Sequence, residues 1–204
     1  VAIDETGNPF PEKTHEICKS SDAILFGAIG DPKYDTDPNA KVRPEQGLLA
    51  LRKALNLYCN IRPVTIYDSL IDSSPLKRNR IEGVDLVIYR ELTSGIYFGE
   101  KKETNDRGFA SDLCAYNKEE ILRVAHLAFK AAGKRKNKLT LVDKANVLAS
   151  SRLWRSVVTE LHSSEYKHID LDFLFVDNAA MQMVLNPAQF DVILTGNLFG
   201  DIIS

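Results

Sequence analysis

Short apolar runs alternate along the chain with stretches in which apolar residues recur at helical spacing. The spacing of apolar positions predicts amphipathic helices at residues 45–56 and 151–162, and a third after Asn117, a residue type that caps helices. Runs rich in apolar residues predict buried strands at residues 23–28, 85–91, 139–142, 169–176 and 190–195. Strands that alternate with helices indicate an α/β fold.

Two stretches interrupt this alternation. Residues 30–44 (GDPKYDTDPNAKVRP) are rich in turn-forming residues and predict a loop. Residues 94–117 (SGIYFGEKKETNDRGFASDLCAYN) contain β-prone segments around a polar, glycine-containing loop, which predicts a β arm around 97–117. Such an arm often pairs with another subunit, but an ordinary surface hairpin explains the pattern equally well.

Composition narrows the class of protein. The 204 residues are 44% hydrophobic, enough for a buried core, and the net charge of -2 comes from scattered charges without a basic stripe, which argues against a nucleic-acid partner. Three cysteines at unrelated spacings indicate neither a disulfide framework nor a zinc site. No apolar run reaches the ~18 residues of a membrane span, so we expect no membrane partner and a cytoplasmic location. The chain begins at Val1 instead of methionine and reads as the interior of a longer chain, with residues expected beyond both ends.

Polar side chains follow four of the predicted strands, where ligands of open α/β sheets gather. One such residue is more often a cap, but four strands that deliver charge to one edge are harder to explain in this way. Asp177 and Asp201 could share a divalent ion, and oxygen ligands suit Mg²⁺ or Mn²⁺. The residues at the four strand ends are Arg90 and Glu91, Asp143 and Lys144, Asp177 and Asn178, and Asn197 and Asp201.

Three arginines suggest a site for a di-acid, because guanidinium groups hold carboxylates in a two-pronged geometry. They are Arg52, Arg62 and Arg90. Each alone is typical of a surface arginine, and the sequence does not show that they converge. The chain has neither a G-x-G-x-x-G after a strand nor a G-x-x-x-x-G-K-[ST], the two common phosphate-binding loops.

Six motifs occur in a characteristic order: GLLALRK, NIRP, RELTSGIYFGE, VDKANVLASSRLWR, VDNAAMQMV and FDVILTGNLFGDI. Together they resemble the isocitrate/isopropylmalate family of β-decarboxylating dehydrogenases, and within it the 3-isopropylmalate dehydrogenases of leucine biosynthesis. The resemblance runs through essentially the whole chain. It implies that this chain forms part of the three-layer αβα fold of that family, which is not a standard Rossmann fold. Residues 1–57 would be an incomplete cofactor-side domain, and residues 58–204 the central substrate and dimerisation domain.

The resemblance also implies a reaction, in which NAD oxidises a 2-hydroxy di-acid that then loses CO₂. For 3-isopropylmalate the product is 2-oxoisocaproate. Lys144 would be the base and Tyr97 the acid, while Asp177 and Asp201 would bind Mg²⁺ or Mn²⁺. The protein would be a homodimer with shared active sites, in which Lys144 and Asp177 enter from the partner subunit. The main cofactor-binding loops of the family would lie outside this chain, so no NAD-binding residue is assigned.

The same resemblance implies that Arg52, Arg62 and Arg90 bind the malate carboxylates. The helix that carries Arg52 contacts the substituent that distinguishes one malate from another, and here it begins with Glu45. An apolar surface suited to an isopropyl group would be formed by Leu48, Leu49 and Val147. Both leucines could instead be ordinary helix core.

Two alternatives remain open. One is another substrate of the family, namely tartrate or D-malate, isocitrate or homoisocitrate. The other is that the bare 204-residue chain is a dimerising module without catalytic activity of its own.

Overall fold

The computed structural model describes residues 1–35 and 41–204. Residues 36–40, in the middle of the predicted loop 30–44, lie outside the described residues. The chain divides into two compact units, Val1–Tyr58 and Cys59–Ser204. No helix of the described residues is long and apolar enough to cross a membrane.

The described part of the first unit is helical. Its helices are α1 (Ala2–Thr6), α2 (Glu12–Ser20), α3 (Pro32–Asp35) and α4 (Pro44–Ala54). The predicted helix at 45–56 is therefore confirmed as α4, which begins with a proline in its first turn, where the missing N–H costs nothing.

The strand predicted at residues 23–28 is wrong. This segment is irregular and exposed, with Leu25 fully accessible to solvent. A strand needs a partner for its backbone N–H and C=O groups, and the described residues of Val1–Tyr58 include no strand with which this segment could pair. The apolar run alone gave no information about a partner, which is why the prediction failed.

The second unit is built on a five-stranded sheet. Its strands are β1 (Cys59–Thr65), β2 (Asp85–Glu91), β5 (Lys138–Asp143), β6 (Asp170–Phe175) and β7 (Val192–Thr195). Their order in the sheet is β1-β2-β7-β5-β6, in which β1 is antiparallel to β2, whereas β2, β7, β5 and β6 run parallel. Four predicted strands are confirmed, each within a few residues of its predicted bounds.

The sequence did not predict β1, and its composition explains why. It is an edge strand with exposed positions along most of its length, and it contains Arg62 and Pro63. Edge strands tolerate proline because one side of the strand has no ladder partner. Without a continuous apolar run, the segment carries little strand signal.

Helices cover both faces of the sheet. The helices of the unit are α5 (Arg78–Ile81), α6 (Lys118–Gly133), α7 (Ala149–Glu165), α8 (Val176–Leu185) and α9 (Asn197–Ile203). On one face, α6 and α7 bury Phe129 and Trp154 against strand residues such as Leu141. On the other face, α8 and α9 bury Ala179 and Ile203 beside Ile193. This arrangement confirms an α/β fold with three layers.

The start of α6 is where the sequence placed it. Asn117 Oδ1 accepts a hydrogen bond from the backbone N–H of Glu120, and Glu120 Oε2 accepts one from the backbone N–H of Asn117, both at 2.9 Å. This reciprocal pair satisfies two donors that the helix itself leaves unpaired. α7 is longer at both ends than the predicted 151–162, and α8 was not predicted at all.

A short hairpin lies within the predicted arm. β3 (Lys101–Lys102) pairs antiparallel with β4 (Ser111–Asp112), and Lys101 Nζ donates to Asp112 Oδ1 at 3.0 Å. The β-prone segments around the polar loop therefore pair with each other. That the arm pairs with another subunit remains a prediction.

Candidate active site

The parallel strands of the second unit bring their carboxyl ends to one edge of the sheet. Arg90 lies at the end of β2, Lys144 follows β5, and Asp177 follows β6 in the first turn of α8. Asp201 lies in α9, which begins two residues after β7. Since β2, β7, β5 and β6 are neighbours in that order, the polar residues predicted from the sequence lie along a single edge.

The first cluster on this edge is centred on Arg90, which is only 3% exposed. Its Nη1 donates to Asp201 Oδ1 at 2.5 Å, while Nε and Nη2 both donate to Asn197 Oδ1, at 3.2 and 2.9 Å. The Tyr97 hydroxyl donates to Asp201 Oδ2 at 2.8 Å. The predicted acid, one predicted arginine and one predicted metal ligand are therefore in direct contact.

The local backbone makes room for this cluster. A Cβ on Gly200 would lie 2.5 Å from Arg90 Cγ, so only glycine lets the arginine stem pass over α9. Tyr97 ends a 3₁₀ turn that begins at Gly95, whose φ of 77° is readily adopted only by glycine. The side chain of Tyr116 lies against Gly95, where a Cβ would meet its hydroxyl.

A fully buried carboxylate holds the turn between Arg90 and Tyr97. Glu91 accepts hydrogen bonds from the backbone N–H groups of Thr93 and Ser94, both at 2.9 Å, and forms an ion pair with Arg123 at 3.3 Å. These charge-assisted bonds compensate for the burial of the charge. Glu91 is thus a structural support for the turn.

The second cluster contains the predicted base. Lys144 Nζ donates to Asp177 Oδ1 at 2.7 Å, and it lies 5.7 Å from the centroid of the Phe175 ring. Asp177 is exposed. The hydrogen bond from Lys144 lowers the pKa of its carboxyl below the usual range, and backbone N–H groups at the start of α8 lower it further. Asp177 is therefore a carboxylate at neutral pH.

The turn that carries Lys144 is fixed from α7. The carboxylate of Asp143, which is 2% exposed, accepts two hydrogen bonds from Arg155 and one from the backbone N–H of Ala145, all at 2.9 Å. Ser151 Oγ accepts a bond from the backbone N–H of Lys144 at 3.1 Å. Because Asp143 and Ser151 are buried, the backbone on both sides of Lys144 has a defined position.

The remaining predicted site residues lie on β1, in the turn before α7 and on α4. Arg62 on β1 donates to the Ser204 carbonyl at 3.2 Å, and Val147 is 62% exposed in the turn before α7. On α4, Leu48, Leu49 and Arg52 are half-buried, and Glu45 is exposed. α4 belongs to the first unit.

The two aspartates match the oxygen donors that Mg²⁺ and Mn²⁺ prefer. Both oxygens of Asp201 are already hydrogen-bonded, to Arg90 and Tyr97, and an ion bound there would share or replace these contacts. Within residues 1–35 and 41–204, no three His, Cys, Asp or Glu side chains form a group that could hold a metal ion. The aspartates fit such an ion in chemistry, but further ligands would have to come from substrate, water or another chain.

An apolar cavity of about 280 Å³ lies beside the polar edge. It is lined mainly by apolar side chains, among them Ile96, Trp154, Leu198 and Phe199. A doubly charged acid would lose its hydration there, and the side chains that line the cavity include no positive charge to compensate. The polar edge is therefore the better candidate for a di-acid site.

The sequence alone does not identify the residues that support the site. Asn197 and Asp143 lie at the ends of predicted strands, but no pattern indicates that they contact Arg90 and Arg155. Arg123 and Arg155 lie on helices far along the chain from the carboxylates that they contact, 32 and 12 residues away. No spacing rule would have found these pairs. A signal was present only in the unusual density of polar residues at the strand ends.

Several known proteins resemble this chain in sequence. The profile of the isocitrate/isopropylmalate dehydrogenase family matches residues 1–204. The 3-isopropylmalate dehydrogenase of Clostridium acetobutylicum is 57% identical over 206 residues, which cover 100% of this chain and 57% of that protein. That of Bacteroides fragilis strain YCH46 is 53% identical over 203 residues, again 100% of this chain and 57% of the relative. The chain thus spans somewhat more than half the length of these relatives.

Solved structures show the same relationship. The isocitrate dehydrogenase of Methylococcus capsulatus superposes with a TM-score of 0.76 at 29% identity, over 99% of this chain and 57% of that one. The TT0538 protein of Thermus thermophilus superposes with a TM-score of 0.83 at 25% identity, over 100% of this chain and 39% of that one. The match over all 204 residues, together with the relatives above 50% identity, shows that the chain belongs to the isocitrate/isopropylmalate dehydrogenase family.

Proposed function

We propose that this chain is the substrate-side part of an NAD-dependent enzyme that oxidises and decarboxylates 3-isopropylmalate to 2-oxoisocaproate. The observation that carries the proposal is the single polar edge that presents Arg90, Tyr97 and Asp201 in one cluster and Lys144 with Asp177 in another. Relatives more than 50% identical, named 3-isopropylmalate dehydrogenase, support the choice of substrate.

In this proposal Lys144 is the base. Its Nζ first releases its own proton to solvent, and the neutral amine then accepts the proton of the substrate hydroxyl as the adjacent C–H bond is oxidised. The ion pair with Asp177 at 2.7 Å holds Nζ at the edge of the sheet before substrate arrives. Buried contacts from Asp143 and Ser151 hold the backbone, so that the base approaches the substrate in a limited range of directions.

Tyr97 is the acid in the second half of the reaction. Loss of CO₂ leaves an enolate, and the Tyr97 hydroxyl donates a proton to the carbon that carried the carboxylate, which gives the 2-oxo product. In the structure the Tyr97 hydroxyl donates this proton in a hydrogen bond to Asp201 Oδ2, with 2.8 Å between the two oxygens. The contact keeps the phenol next to the carboxylate that is proposed to hold the metal ion.

The arginines bind the two carboxylates of the substrate. Arg90 is already charged and desolvated, so a carboxylate that reaches it meets a donor that has little water to lose. Arg62 is the second donor on the same unit, and Arg52 on α4 is the third. Asp177 and Asp201 would hold Mg²⁺ or Mn²⁺, which would supply a Lewis acid for the substrate oxygens, and NAD would supply the hydride acceptor.

Substrate selection is assigned to Leu48, Leu49 and Val147. Burial of an isopropyl group against such side chains stabilises the bound substrate, by ~1–3 kcal/mol for each methylene group. A third carboxylate would be buried there without a partner, which costs far more free energy. Glu45, at the start of the same helix, would repel an additional negative charge. The isocitrate dehydrogenase among the structural neighbours keeps isocitrate as the second candidate substrate.

A homodimer would complete the site. α8 exposes Met181, Val184 and Leu185, which are 50%, 51% and 45% accessible, and α9 exposes Ile202 at 66%. Exposed apolar side chains grouped on neighbouring helices are typical of a subunit interface. In the proposed dimer, Lys144 and Asp177 of one subunit act on the substrate bound at Arg90 and Tyr97 of the other.

The test is a comparison of substrates. The full-length protein that contains this chain is assayed for NAD reduction with Mn²⁺ and 3-isopropylmalate, isocitrate or tartrate, and we expect the highest kcat/KM with 3-isopropylmalate. A preference for isocitrate or tartrate would refute the assignment of Leu48 and Leu49. The variant Lys144→Met should lose turnover but remain dimeric, whereas loss of the dimer would make Lys144 a structural residue.

The isolated 204-residue chain provides a second test. We expect it to fold and dimerise without reducing NAD, because its relatives are much longer proteins. Turnover by this chain alone would contradict the expectation that the remaining part of the enzyme is needed for the reaction.

A further inference from the structure

Asn197 connects the two elements that carry Arg90 and Tyr97. Its side chain is completely buried at the start of α9. Oδ1 accepts hydrogen bonds from Arg90 Nε and Nη2, and Nδ2 donates to the Ser94 carbonyl at 3.0 Å. This arrangement defines the orientation of the amide, because a flipped amide would place its NH₂ group against the two donors of Arg90.

We infer that Asn197 is a positioning residue for substrate binding, which holds one edge of the Arg90 guanidinium so that the opposite edge faces the substrate carboxylate. The inference rests on the proposed function, in which Arg90 binds a carboxylate. Nη1, on the edge that Asn197 leaves available, now contacts Asp201. That contact shows that an oxygen can approach from this side.

The neutral amide suits this role better than a carboxylate would. Asn197 accepts two bonds from Arg90 without adding a second negative charge beside that of Asp201, so it does not weaken further the attraction of the guanidinium for a substrate carboxylate. An aspartate at this position would form an ion pair with Arg90. It would also place an oxygen against the Ser94 carbonyl in place of the present donor.

Helix α9 holds Asn197 in place. The backbone N–H of Asn197 donates to the Tyr116 hydroxyl at 2.8 Å. Asn197 and Asp201 are four residues apart and therefore lie on the same face of the helix, where they meet the two edges of Arg90. One helical turn thus determines the direction in which the guanidinium points.

The experiment measures substrate binding separately from catalysis. Calorimetry on the full-length protein, with Mn²⁺ and without NAD, gives the Kd of 3-isopropylmalate. We expect Asn197→Ala to raise this Kd about tenfold, which corresponds to about 1.4 kcal/mol. Asn197→Asp should raise it further, because that variant also neutralises Arg90.

A double-mutant cycle shows whether Asn197 acts through Arg90. The variant Arg90→Lys keeps the charge but loses the two-pronged geometry, so there is no guanidinium edge left for Asn197 to orient. We expect Asn197→Ala to change the Kd by less than about twofold in the Arg90→Lys background. Equal effects in both backgrounds would refute the inference.

Two controls separate positioning from general damage. Asn117→Ala removes the cap of α6 and lowers stability without touching Arg90, so it should leave the Kd of the substrate unchanged. The Kd of Mn²⁺ in the absence of substrate, measured by electron paramagnetic resonance, should change by less than about threefold in Asn197→Ala. If Mn²⁺ and substrate affinity fell together, or if Asn197→Ala bound substrate as the wild type does, Asn197 would not be a positioning residue.

The wild-type protein distinguishes this inference from the proposed function. If it binds isocitrate or tartrate instead of 3-isopropylmalate, the proposed substrate is wrong, and the cycle is measured with the acid that binds. If it binds none of the three, both the proposed function and the inference fail. If it binds 3-isopropylmalate but Asn197→Ala does so equally well, the inference alone fails.

Discussion

At the scale of single residues, the site depends on groups that touch Arg90 from several directions. The sequence predicted Arg90, Tyr97, Lys144, Asp177 and Asp201 as site candidates, because charged residues after strands and the motifs around them are visible without a structure. It could not show that Arg90 would be buried and paired with Asp201. Burial depends on how helices and strands that are distant in the chain pack together, which a linear pattern does not contain.

At Gly200, helix α9 packs closely against the stem of the Arg90 side chain. The variant Gly200→Ala places a methyl group 2.5 Å from Arg90 Cγ and 2.8 Å from Cβ and Cδ, so either the arginine or α9 must move. We expect a loss of about 1–3 kcal/mol in the free energy of unfolding, measured by urea denaturation. Gly133→Ala is the matched control, since the nearest atoms there lie at 3.8 Å and alanine is the better helix former. If both variants were equally stable, the close packing at Gly200 would not be real.

The Lys144–Asp177 pair predicts a pH dependence. Lys144 lowers the pKa of Asp177 in the folded protein, so the pair contributes to stability above the ordinary aspartate value of about 3.9, and this contribution is lost as the pH falls through the lower, folded pKa. Carbon-13 NMR should give Asp177 a titration midpoint below about 3.9 in the wild type, and Lys144→Met should raise it. An unchanged midpoint in Lys144→Met would mean that the pair does not form in solution.

At the scale of elements, prediction succeeded where local rules and tertiary packing agree. α6 has a capping residue, an acidic first turn and an apolar stripe, and all three features are local. β1 and the segment 23–28 show the opposite case. β1 is a strand because β2 pairs with it, despite its exposed positions and its proline, whereas residues 23–28 are apolar but have no strand partner in the described part of the first unit.

The cap of α6 gives a direct test of a local rule. Asn117→Ala removes the acceptor for the Glu120 N–H, and we expect a loss of ~0.5–2 kcal/mol in the free energy of unfolding by thermal or urea denaturation. Asn117→Asp keeps an acceptor at the same place and should retain most of the stability. A loss of the same size in both variants would contradict the capping role.

At the scale of the whole molecule, the sequence indicated the fold class and the family, since the six motifs lie along the full chain in a recognisable order. It did not predict the strand order, in which β7, the last strand in the chain, lies between β2 and β5. This order brings α9 next to Arg90 and thereby assembles the first cluster from segments far apart in the chain, as in the Arg90–Asp201 pair at a separation of 111 residues.

A shared active site predicts complementation between two inactive variants of the full-length protein. Tyr97→Phe and Lys144→Met affect residues that act from different subunits in the proposed dimer. A mixed dimer would therefore contain one site with both residues intact, and we expect about half of the wild-type kcat per dimer. The measurement is NADH formation by the purified, differently tagged heterodimer. If the mixed dimer stayed inactive, each site would draw both residues from one subunit.

The proposed function requires that the polar edge of the sheet carries out both an oxidation and a decarboxylation. The most direct test measures NADH and CO₂ together while the full-length protein consumes 3-isopropylmalate in the presence of Mn²⁺. We predict equal amounts of the two products, and neither product from the Lys144→Met variant. NADH without CO₂, or no NADH at all from the wild-type protein, would contradict the proposal that this site carries out an oxidative decarboxylation.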